Sequence, residues 1–210
     1  MPKTQSRPAA TPPVKSPSNE ADDRDLAVRL AQGRTSSRDG AAADDAALDD
    51  LVRCYQKRVA GLAYRLLGWS DGVDDVVQEV FLRVLGSRAG FRGQSSLWTF
   101  LAAITVNCCR SALRRRWLRT QWEHFHKGAE AAAAEASDEH AVRDETAAQV
   151  RAAVARLPAK YREAMVLRYL EELSIDDVAV ALAVWRNVVE VRLSRGRKRL
   201  EAMLANLVDE

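Results

Sequence analysis

Apolar residues recur at steps of three and four along most of this chain, the spacing of one face of an α-helix. Leu48, Leu51, Val52, Tyr55, Val59, Leu62 and Leu66 form the first stripe, and Gly68 follows as a stop. Val73, Val76, Val77, Val80, Phe81 and Val84 form a second, ended near Gly86. A loop bracketed by Gly90 and Gly93 comes next. Ser95 or Ser96 then stands as N-cap to a third stripe, Leu97, Phe100, Leu101 and Ile104. Further on, Val150, Val154 and Leu157 mark a helix, and Pro158 opens another carrying Tyr161, Met165, Val166 and Tyr169. Ser174 with Asp177 reads as a capping box ahead of Val178, Ala181 and Leu182. A last helix runs from about Asn187 to Leu207. No alternating strand pattern of useful length interrupts the series. The expectation is an all-α protein.

Punctuation divides the chain. Five of the six prolines lie in the first seventeen residues, among Ser, Thr and Lys, which predicts a disordered tail over 1–23. A helical unit follows over 24–119. Between Gln121 and Thr146 seven acids face two bases, and the run Ala131–Ala134 has nothing bulky to bury. This predicts a flexible acidic linker over 120–147. A second unit, 148–210, is small for a core of its own.

Charge changes the picture only where it clusters. The net charge of the 210 residues is +3, from 32 basic and 29 acidic side chains, so any nucleic-acid affinity must be local. No stretch approaches the ~18 apolar residues of a membrane span. The N-terminus lacks the apolar segment of a secretory signal. The three cysteines, Cys54, Cys108 and Cys109, do not form a disulfide framework, which points to a reducing cytoplasm. No phosphate loop or zinc ligand set is present, so neither an enzyme nor a cofactor or metal is expected. His124 and His126 read as exposed polar residues, and Cys108 and Cys109 as small buried apolar ones.

Two clusters remain. Arg110, Arg114, Arg115, Arg116 and Arg119 lie on the end of the third helix with no acid among them. Arg186, Arg192, Arg195, Arg197, Lys198 and Arg199 lie on the last helix, opposed by Glu190. Uncompensated arginines are the electrostatic footprint of phosphate binding. The short Ser174–Leu182 helix, a tight turn and the basic last helix form a helix-turn-helix pattern.

The stretch Asp74-Asp75-Val76-Val77-Gln78-Glu79-Val80-Phe81 resembles sigma region two of bacterial RNA polymerase sigma factors. Phe91-Arg92-Gly93-Gln94-Ser95-Ser96-Leu97-Trp98-Thr99-Phe100-Leu101, and Ile104-Thr105-Val106-Asn107 followed by Arg114-Arg115-Arg116, resemble its continuation. Leu157-Pro158, Arg162, Leu167-Arg168-Tyr169, Leu173-Ser174, Asp177-Val178-Ala179 and Leu182 resemble sigma region four. With no region one and no full region three, the resemblance is to the extracytoplasmic-function (ECF, group four) type of the sigma-70 family, over roughly Asp25 to Leu207.

The resemblance implies two small helical domains and a set of roles. Asp75, Gln78 and Glu79 would dock on the clamp helices of the largest subunit of core RNA polymerase. Phe91, Arg92, Gly93, Trp98, Ile104, Asn107, Arg110, Ser111, Arg114 and Arg115 would face the melted −10 element. Asn107 can read base edges, the arginines can hold the single-strand backbone, and Trp98 is either a stacking platform or core. Asn187, Glu190, Val191, Arg192, Ser194, Arg195, Arg197 and Lys198 would face the duplex −35 element. An anti-sigma factor is implied as a further partner.

The chain also departs from the family. Ala183 stands where a turn glycine is usual, Trp185 for proline, Val188 for threonine, and Glu190 for Lys or Arg. Asn187 is left as the candidate cap of the last helix. Ser111 replaces the usual Asp or Asn, and the 35–46 insertion is atypical. Two other readings stay open on the residues: a helix-turn-helix regulator acting on duplex DNA alone, and a helical protein-interaction adaptor.

Overall fold

The computed structural model describes residues 26–28, 38–68, 71–86, 95–127 and 145–208. Three long helices carry the first stripes: α1 (Arg38–Leu67), α2 (Val73–Gly86) and α3 (Leu97–Lys127). Helix α1 stops where Gly68 takes a left-handed φ of 84° and its N–H bonds back to the Tyr64 carbonyl. Helix α3 is capped by Ser96, whose Oγ accepts from the Thr99 N–H at 3.0 Å. It runs past the arginine cluster to Lys127, and the next helix begins at Glu145. The predicted stripes are the buried faces: Leu51, Tyr55, Val59 and Leu62 meet Val76, Val80 and Val84 from α2 and Leu101 and Val106 from α3. Each fully buried side chain of this size contributes roughly 1.5–3 kcal/mol to the bundle.

The second unit is built from α4 (Glu145–Arg156), α5 (Ala159–Met165), α6 (Ile175–Leu182) and α7 (Arg186–Val208). Pro158 stands immediately ahead of α5. A single π-turn, Val166–Leu170, carries α5 onward and lets Glu171 N–H bond to the Val166 carbonyl at 3.0 Å. The expected capping box is formed: the Asp177 N–H donates to Ser174 Oγ at 3.0 Å, and that hydroxyl donates to Asp177 Oδ2 at 2.6 Å. Helix α6 ends in a Schellman pattern around Ala183, a non-glycine residue at φ 53°. Helix α7 lies close to α5; a Cβ at Gly196 would come within 2.9 Å of Met165 Cγ.

All the described elements are helices, as expected, but the two units are not spaced apart. Helix α3 packs on α6, and the buried residues of both units form one continuous cluster. Around that contact sits a ring of polar ties. Arg110 Nε and Nη2 donate to the two oxygens of Glu163 at 2.8 and 2.7 Å. Arg65 Nη1 and Arg58 Nε reach Glu171 at 2.5 and 3.4 Å. Thr99 Oγ1 donates to Asp177 Oδ1 at 3.0 Å and lies 2.8 Å from Ser96 Oγ. The last chain joins the capped N-termini of α3 and α6, where the Asp177 carboxylate faces the positive ends of both helix dipoles.

Candidate nucleic-acid interface

Helix α2 buries its valines inward and turns Asp75 and Gln78 to solvent. Glu79, one turn on, is half-buried and not free: it accepts from Arg83 Nη2 at 2.6 Å and from Arg115 Nη2 at 3.2 Å. Burial pushes its carboxyl up, but Arg115 and Arg83 outweigh that and hold it below the usual range. The acidic face of α2 and the arginine cluster of α3 are therefore already joined through Glu79 and Arg115.

On α3, Asn107, Arg114 and Arg115 are exposed. Ile104 and Asn107 line a shallow groove with Glu79, Leu82 and Arg83 of α2. Ser111 is turned back onto its own helix, its Oγ donating to the Asn107 carbonyl at 3.0 Å, so it presents no free donor to a ligand. Arg110 is held by Glu163, whose hydrogen bonds raise its pKa further. Trp98 is not a stacking platform in this arrangement. It is 5% exposed, lies parallel to Tyr55 with ring centroids 6.1 Å apart, and has the Arg58 guanidinium 4.0 Å from its ring centre. Its position one turn before Leu101 makes it core, and between the two readings of the sequence the structure selects that one. Phe91, Arg92 and Gly93 lie outside the described residues. So do the side chains of His124 and His126.

Helix α7 buries Val189, Leu193 and Gly196 and exposes the opposite face, where Asn187, Glu190, Val191, Ser194, Arg195, Arg197 and Lys198 lie. Arg192 is half-buried. Arg195 hydrogen-bonds the Tyr161 hydroxyl and lowers its pKa. The Arg199 guanidinium sits 5.3 Å from the same ring's centre. Asn187 is not the helix cap. The N–H groups of Val188 and Val189 bond to the Trp185 carbonyl, which makes Trp185 the cap position and places Asn187 inside the first turn. Glu190 is likewise not a free reader of bases, because Arg186 Nε donates to it at 3.2 Å.

Periodicity did not reveal the residues that tie the units together. Glu163 and Glu171 are 6% and 5% exposed, an unusual depth for carboxylates, and each is matched to arginine from the other unit. Burial pushes the Glu171 carboxyl up, and the nearby Arg65 and Arg58 only partly offset it. Cys108 and Cys109 are buried as expected, their thiols raised by burial to about 11 and about 12. Among the described residues, no group of three or more His, Cys, Asp or Glu could hold a metal ion, and no helix is long and apolar enough to cross a membrane.

The family description "Sigma-70 region 2" matches residues 51–119, and "Sigma-70, region 4" matches 147–200. The chain is 31% identical over 175 residues to the RNA polymerase sigma-H factor of Pseudomonas aeruginosa, covering 80% of this chain and 91% of that one. It is 29% identical over 194 residues to the ECF sigma-E factor of Haemophilus influenzae, covering 89% and 97%. Among solved structures, CnrH in complex with the cytosolic domain of CnrY superposes with a TM-score of 0.60 at 25% identity, over 88% of this chain and 97% of that one. The sigma factor RpoE from Bartonella quintana, in complex with the anti-sigma factor NepR, shares the fold with a TM-score of 0.59 at 23% identity, over 75% and 96%. With both region matches in chain order, on two helical units that each carry a basic helix, the chain belongs to the ECF group of the sigma-70 family: it is a promoter-directing RNA polymerase sigma factor.

Proposed function

We infer that residues 24–119 and 148–210 act as separate promoter-reading units in the cytoplasm, tethered by 120–147. Asp75 and Gln78 on α2 engage the clamp helices of the core polymerase, where exposed acids and amides suit a basic helical partner. Asn107, Arg114 and Arg115 hold the melted −10 strand, with Phe91, Arg92 and Gly93 ahead of them. Helix α7 enters the major groove of the −35 element. The observation that carries this reading is that the cationic stretches of α3 and α7 both face solvent, one in each matched region.

The docked form cannot serve both elements at once. Elements named for positions about 25 base pairs apart are roughly 85 Å apart at 3.4 Å per pair. A compact body of this size has a radius of gyration of about 15 Å. Release of Glu163 and Glu171 from their arginines therefore belongs to the working cycle, and it frees Arg110 for the −10 strand. The 17 residues between Lys127 and Glu145 can span up to about 60 Å.

An anti-sigma protein is the regulatory partner this reading implies. A cavity of about 380 Å³ between the units, lined by Tyr64, Val150, Val154, Tyr169 and Leu170, offers it an apolar seat. Run-off transcription with core polymerase on genomic fragments tests the whole. Discrete transcripts that require both proteins support it, and duplex binding of equal strength without polymerase would favour a regulator instead.

A further inference from the structure

The start of α7 is chemically unlike the rest of it. Its first cation is occupied: Arg186 Nη1 donates to both oxygens of Asp176 at 2.7 Å, and Nε donates to Glu190. One positive and two negative charges meet there, so the first turns offer a phosphate no net attraction. The exposed cations of the helix lie further along, at Arg195, Arg197 and Lys198.

What the helix start exposes is apolar. Trp185 is 83% exposed and Val191 48% exposed. Val188 lies half-buried between them and lines a surface depression with each. Val180 on α6, 57% exposed, borders the Trp185 side. Scattered exposed apolar residues need no explanation, but four together form a contact surface. Its rim names the occupant. Lys160, Arg192 and Arg195 line the same depression as Val188 and Val191, which suits a polyanion that also presents apolar groups. Duplex DNA does so in its major groove, through the thymine methyls.

We propose that α7 reads thymine methyl groups through Val188 and Val191, with Trp185 packed against the sugar backbone at the edge of the same groove. Glu190 is a positioning residue that, with Asp176, keeps Arg186 off the base edges. The proposal rests on the reading of α7 as the −35 helix.

The test uses the full chain with core polymerase. A preferred −35 duplex is selected from a randomised pool, and each thymine is then replaced by deoxyuridine, which removes only the methyl. Affinity should fall about fourfold for each contacted thymine, the cost of about one methylene's burial. The salt dependence should not change, because no phosphate contact is lost. The Val188→Ala, Val191→Ala double variant should bind more weakly and lose its sensitivity to deoxyuridine. Deoxyuridine without effect on a clearly preferred sequence overturns the proposal. So does equal sensitivity in the double variant, or a Trp185→Ala change that weakens binding to polymerase and leaves DNA binding intact. A selection that yields no −35 preference at all removes the underlying reading of α7, which is a different result.

Discussion

Replacing Glu163 by Gln should open the molecule. In the docked form Arg110 makes two parallel hydrogen bonds to the Glu163 carboxylate, at 2.8 and 2.7 Å. The carboxylate side chain is 8% exposed and the arginine 38%. A hydrogen bond to a charged group contributes roughly 1.5–3 kcal/mol. The half-open arginine regains much of its hydration on release, so the pair as a unit contributes about 2 kcal/mol at the low end of that scale. Its loss corresponds to roughly a 30-fold shift from docked to open. The shift can be read as a distance distribution between spin labels on exposed Cys54 and on a Glu201→Cys variant. Cys108 and Cys109, buried with thiols near 11 and 12, stay unlabelled at neutral pH. The Glu163→Gln distribution should broaden to longer distances while far-ultraviolet circular dichroism is unchanged. Arg110→Gln should do the same, and the double variant should add little. Identical distributions for wild type and both variants would refute the view that this pair holds the units together.

The same contacts set the response of the molecule to pH, substitution and thiol reagents. Burial in the docked form raises the Glu171 pKa above its free value near 4.5, so this group favours docking at low pH, and that contribution is lost as pH rises through the raised value. Glu171→Gln should therefore flatten the pH dependence of the label distances on the acid side of neutrality; an unchanged slope counts against it. Ala183→Gly should raise stability by about 0.5–1 kcal/mol, as relief of a left-handed alanine exceeds the extra chain entropy of glycine, and urea midpoints will show the sign. A thiol reagent at neutral pH should modify Cys54 alone until the protein is unfolded, and rapid reaction of a second thiol contradicts the packing around α3. Asp75→Arg should reduce core-polymerase retention at least tenfold with the fold intact, whereas full retention would clear that face of a docking role.

The helices were legible because their determinants are local. The stripe Leu51, Tyr55, Val59, Leu62 needs no partner to declare its period, and the Ser174–Asp177 box declares its own helix start. Trp98 was legible only as a choice, because a tryptophan beside a core leucine and one beside a strand of DNA occupy the same register. Glu163 and Glu171 were not legible at all. Their meaning comes from Arg110 more than 50 positions away and from Arg58 and Arg65 more than 100 away. Glu79 and Glu190 were read as outward-facing for the same reason: the spacing places them on a polar face but cannot tell that an arginine is already there.

The unread contacts share a property that suits them to release. Apolar burial at the α3–α6 contact favours the docked form, and water cannot replace it. Here the ties around the α3–α6 contact are polar, and their arginine ends stay partly in water: 29% for Arg58, 41% for Arg65 and 38% for Arg110. Each carboxylate recovers hydration when its arginine leaves, so desolvation of Glu171 works against the docked state while Arg58 and Arg65 work for it. The stripes of α1 and α2 and of α6 and α7 pack within their own units, and the α3–α6 contact joins their buried residues into one cluster. A contact balanced in this way can hold the basic faces in register in the free protein. It can also yield to a competing surface that supplies its own charges.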